Sequence, residues 1–74
     1  MPTAPESDRA RWRHEHDGDP ECICETKAHE HLMAAGVKLR NGVYCVPADL
    51  DLDSAGRSAL RFLILEWDYW WDRT

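Results

Sequence analysis

Apolar and polar positions alternate most clearly from Val37 to Val46, on either side of Asn41-Gly42. Asn-Gly between two β-prone runs is a strong hairpin cue, because both residues tolerate positive φ. A two-residue turn pairs Arg40 with Val43, Leu39 with Tyr44, Lys38 with Cys45 and Val37 with Val46. One face of the hairpin is then Val37, Leu39, Tyr44 and Val46. Further on, the pattern changes period. At 100° per residue, Leu60, Leu63, Ile64, Trp67, Trp70 and Trp71 gather within about 120°, and Phe62, Leu65 and Tyr69 fall nearly opposite. This predicts one long helix from about Ser54 to Trp71, apolar on two sides, with Asp53 or Ser54 as its N-cap.

The first half is less regular. Glu6-Ser7-Asp8 offers an N-cap for a short helix over Arg9–His16, which Asp17-Gly18-Asp19-Pro20 ends. Glu21–Cys24 reads as a short extended stretch. Glu25–Ala35 reads as a second helix with Gly36 at its C-terminal cap. The expected fold class is therefore α+β. Two short N-terminal helices and an Asn-Gly β-hairpin (about 37–46) precede a long C-terminal helix (about 54–71) packed on the hairpin's apolar face. Residues 1–5, with two prolines, read as a disordered tail, and 6–74 as a single small domain.

Composition narrows what such a chain does. Seventy-four residues are too few for a dinucleotide-binding sheet, and 43% hydrophobic residues are too many for a disordered chain. The net charge of −5 disfavours general binding to phosphate backbones or anionic lipid. Arg9-Ala10-Arg11-Trp12-Arg13-His14 is one basic, aromatic stretch, but acidic residues flank it, so nucleic acid is not the expected partner. The longest apolar run, Phe62–Leu65, is far short of a membrane span. The opening residues lack the basic start and apolar core of a secretory signal, so a cytoplasmic setting is expected. No phosphate-binding loop or serine motif appears, and an enzyme is not expected.

In a reducing setting cysteines read as thiols or metal ligands before disulfides. Cys22, Cys24, His29 and Cys45 form the candidate metal set, for one structural zinc. Cys-x-Cys in an extended segment turns both sulfurs to one side, and His29 lies a turn into the following helix. Two other readings stay open: three thiols acting as small apolar residues, or a Cys24–Cys45 disulfide. His14 and His16 diverge if helical, so they read as surface residues. His-Glu-His at 14–16 and 29–31 reads as coincidence.

The strongest functional signal is aromatic. Trp67, Tyr69, Trp70 and Trp71 crowd one end of the chain. Such residues dominate interface hot spots. Phe62, Leu65, Tyr69, Trp70 and Trp71 are therefore the expected partner-binding residues. The expected function is a small acidic protein-binding module, a regulator or inhibitor that occupies a partner's surface. The partner is another protein, a second copy in a homodimer, or both. The alternative is a zinc-stapled nucleic-acid-binding regulator.

Overall fold

Asp53 sets the start of the longest helix: its carboxylate accepts a hydrogen bond from the Gly56 N–H at 2.7 Å. That bond holds the Asp53 carboxyl below its ordinary pKa, as expected of a carboxylate at an N-cap. A computed structural model describes residues 4–74. It is α+β, with three helices and two small sheets. In chain order these are α1 (Glu6–Trp12), β1 (His14–His16), β2 (Asp19–Cys22), α2 (Thr26–Ala35), β3 (Lys38–Arg40), β4 (Val43–Val46), α3 (Ser54–Trp67) and β5 (Trp70–Arg73).

The C-terminal helix is shorter than its periodicity predicts. It stops at Trp67 because Asp68 turns left-handed (φ 57°) and the Tyr69 N–H reaches back to the Leu63 carbonyl at 3.3 Å. Trp70 and Trp71, expected on that helix, lie instead on β5. Aromatic side chains suit a pleated strand, and β4 offers an edge to pair with. β5 joins it in parallel, Val43 beside Trp70 and Val46 beside Arg73. β4's other side carries β3, antiparallel, turning at Asn41-Gly42 with both residues at positive φ. The sheet order is β3-β4-β5.

α3 is the centre of the fold, packing on α1, α2 and β5. Both of its apolar sides therefore meet the core, although Trp67 at its end stays exposed. Phe62 and Leu63 are fully buried, together with Leu32, Val37, Tyr44 and Val46. This corrects the expectation for Phe62, which belongs to the core and not to an open strip. Leu65 and Tyr69 are half-buried against the same core. The Tyr69 hydroxyl donates to Glu25 at 2.9 Å, which raises the tyrosine's pKa. Leu39, expected on the covered face, is 37% exposed.

The first helix is also shorter than expected, ending at Trp12. Nor does Asp8 act as a cap, since α1 starts after Pro5 without a side-chain cap. Asp8 is instead buried against α3. It accepts from Arg61 Nε at 2.7 Å, Arg61 Nη2 at 3.0 Å and Ser58 Oγ at 2.6 Å. Arg61 dominates in holding the Asp8 carboxyl below its usual range. Of the expected tail, residues 1–3 lie outside the described residues. Ala4 is buried, and its N–H donates to Glu66 at 3.3 Å.

Candidate metal centre

Asp17 and Gly18 both adopt positive φ (51° and 83°), the requirement of a tight two-residue hairpin turn. The chain therefore folds back between β1 and β2, and His14 comes to lie opposite Cys22. The pairing is irregular between His14 and His16, and their rings lie side by side, centroids 5.8 Å apart. Cys22 ends β2, and Cys24 lies two residues beyond it. The hairpin thus presents two imidazoles from one arm and two sulfurs from the other.

One donor atom from each of His14, His16, Cys22 and Cys24 lies within 4.8 Å of all the others. Cys24 Sγ is 3.3 Å from His14 Nε2 and 3.5 Å from His16 Nδ1. Cys22 Sγ is 3.8 Å from His16 Nδ1. With zinc–sulfur bonds near 2.3 Å and zinc–nitrogen bonds near 2.0–2.1 Å, a tetrahedron has donor–donor edges of roughly 3.3–3.8 Å. These separations already match the edges of a coordinated tetrahedron, so the cluster can hold a metal ion.

Neighbouring groups prepare the donors. His14 Nδ1 lies 2.9 Å from the Trp12 carbonyl. Donating there leaves the Nε2 lone pair for a metal and fixes the ring, as outer partners of metal-bound histidines commonly do. The Thr26 hydroxyl lies 3.5 Å from Cys24 Sγ. Led by this hydroxyl and aided by the Thr26 backbone N–H, Cys22 and His14, the Cys24 pKa falls to about 6 despite some burial. Cys24 is then largely thiolate at neutral pH, the form that binds metal. The Cys22 thiol moves the other way: the Cys24 backbone N–H favours its thiolate, but burial and the nearby Cys24 sulfur outweigh it.

This arrangement differs from the set expected from sequence. Cys22 and Cys24 are in it, while His29 and Cys45 stand outside. His29, on α2, meets the Tyr44 hydroxyl at 2.9 Å. Cys45 turns toward the Val43 carbonyl at 3.8 Å. All three cysteines are free thiols, so the Cys24–Cys45 bridge is not formed. His14 and His16 take the two vacant roles because their segment is a strand, on which they converge. The overlooked signal was Asp17-Gly18, as good a hairpin cue as Asn41-Gly42, between His-x-His and Cys-x-Cys.

The expected partner-binding residues divide. Trp70 is 72% exposed and Trp71 46%, and Trp67 at the end of α3 is 42% exposed. Phe62 is buried, and Leu65 and Tyr69 are partly covered. In the basic stretch, Arg9 pairs with Glu6 and Glu66, and Arg13 with Glu6. Its charge is thus partly answered within the molecule. Among the described residues no helix is long and apolar enough to cross a membrane.

The family described as "Phage Pam3 gp59 related protein" matches residues 1–73, and the chain belongs to it. No curated protein and no solved structure matches the chain.

Proposed function

We propose that this member of the Phage Pam3 gp59 related protein family is a small zinc-stapled binding module that acts by occupying a partner protein's surface. One observation carries the reading. The β1–β2 hairpin brings four donor atoms within 4.8 Å of one another, enough for a tetrahedron of protein groups alone. Catalytic zinc keeps one position for water or substrate, whereas a closed set of two cysteines and two histidines is structural. Two sulfurs and two imidazoles also suit zinc better than calcium or magnesium, which take oxygen ligands. A metal used for shape leaves the surface to do the work. The exposed Trp67, Trp70 and Trp71 then mark where a partner sits.

Metal analysis of protein purified without added metal should find about one zinc per chain. Cobalt in place of zinc should give the visible bands of a tetrahedral thiolate site, unchanged by added azide. A spectrum that responds to azide means an open coordination position and overturns the structural reading. Protein without metal, unable to take up zinc or cobalt, overturns the site itself.

A further inference from the structure

A groove of about 320 Å³ lies between α3 and β5. Its origin is the parallel pairing. Tyr44 lies beside Trp71 and Val46 beside Arg73, so Trp71 and Arg73 share the sheet face that α3 covers. Tyr44 and Val46 are fully buried there, but Trp71 stays 46% exposed. Leu60 and Ile64 of α3 line the groove with Trp71, and Arg57 and Arg73 line it too.

β5 is also the edge of its sheet. The Trp70 N–H donates to the Gly42 carbonyl at 3.1 Å, and the Thr74 N–H to the Val46 carbonyl at 2.9 Å. A ladder alternates, so the backbone groups of Trp71 and Arg73 point away from β4. The Arg73 N–H donates to the exposed Asp72 carboxylate at 2.9 Å. A strand added on that side meets the outward backbone groups of Trp71 and Arg73, replacing the Asp72 carboxylate at the Arg73 N–H, and its alternate side chains drop into the groove.

Charge selects the occupant. Arg61 is answered by Asp8. The Arg73 guanidinium is held by the Ala48 and Leu50 carbonyls at 3.4 and 3.3 Å, which position it without neutralising it. Arg57 is exposed, and Asp51 is the acidic group in the lining. Asp53, one turn before Arg57, answers part of its charge, but the groove's own lining still holds Arg57, Arg61 and Arg73 against Asp51, on a chain of net charge −5. A second copy paired through both of these outward residues is a poor match. Antiparallel pairing of Trp71 with Arg73 across a two-fold axis sets Asp72 directly against Asp72, and opposed like charges destabilise a sheet.

The geometry points to an extended acidic segment of a partner protein. It adds a strand along the free edge of β5, seats an apolar side chain between Leu60, Ile64 and Trp71, and sets a carboxylate two residues along beside Arg57 and Arg73. This rests on the reading of the chain as a binding module.

The probe is a displayed library of short random peptides, selected on the zinc-loaded protein and followed by amide NMR. Enriched peptides should carry Asp or Glu two positions from a large apolar residue. They should shift the Trp71 and Arg73 amides and protect them from exchange. Arg57→Glu, a change on an exposed side chain, should weaken them several-fold with the fold intact. Peptides that bind elsewhere, or that ignore Arg57→Glu, overturn the groove and leave the binding module standing. A dimer in sedimentation with the Trp71 amide protected gives the edge to a second copy and overturns the acidic segment. A monomer that enriches no peptide defeats both.

Discussion

Trp12 and Ser58, forty-six positions apart in sequence, share a buried hydrogen bond: the indole N–H donates to Ser58 Oγ at 3.1 Å. The Ser58 hydroxyl in turn donates to Asp8 Oδ1 at 2.6 Å. α1 is therefore pinned to α3 at both ends of a short relay. The pin matters for the metal centre, because the Trp12 carbonyl also orients His14. The core thus sets where the first ligand begins.

Removing the charge at Asp8 breaks this relay. Asp8→Asn should cost about 2 kcal/mol, less than a fully buried ion pair because Arg61 keeps half its side chain in water. The native pKa of Asp8 is depressed, so its contribution is present above the unfolded value near 3.9 and lost as pH falls through the native value. Urea melts should show the gap between wild type and Asp8→Asn closing as pH drops below about 4.

Chelation should act locally. No residue of β1 or β2 is buried, so the hairpin has no core of its own. With EDTA, amide exchange should speed up from His14 to Cys24 while α3 and β4 stay protected. Cys24→Ser should reproduce this pattern. Collapse of protection throughout the chain would mean that the metal holds the whole fold.

Metal content should follow the four clustered donors of the hairpin. His14→Ala and Cys22→Ser should lose the zinc, whereas Cys45→Ser and His29→Ala should keep it. His29→Ala should still cost about 1 kcal/mol, since it leaves the Tyr44 hydroxyl without its partner. Metal analysis and thermal melts on the same samples separate the two effects.

The aromatic residues at the end of the chain should not behave alike. Phe62→Ala opens a cavity in the core and should cost about 3–4 kcal/mol. Trp70→Ala removes a larger side chain, yet 72% exposure should keep its effect within about 0.5 kcal/mol. Thermal melts of the two variants make the comparison.

What was legible in the sequence followed what local rules can carry. The α+β class shows in the change of hydrophobic period after Pro47. Cys22 and Cys24 stand out by spacing alone. His14 and His16 were visible as a motif but were placed on a helix, where their rings diverge. Pro20 also reads as a helix stop, although a strand with a free edge accepts it. The end of α3 was hidden for a different reason. Trp67 to Trp71 continues the helical stripe, and only pairing with β4 makes the strand the better state. That is a tertiary effect, which no window of neighbouring residues contains.

The parallel pairing of β4 and β5 also has a kinetic meaning. Each hairpin closes between neighbours and can form within about 1–10 μs. β5 reaches β4 only after the chain has run through the 47–53 loop and all of α3. Non-local closure of this kind is the slow step in folding. In the interval, β4 presents an unpaired edge beside Tyr44 and Val46, residues fully buried once folding is complete. The molecule is most prone to aggregate in that interval, and faster docking of β5 shortens it.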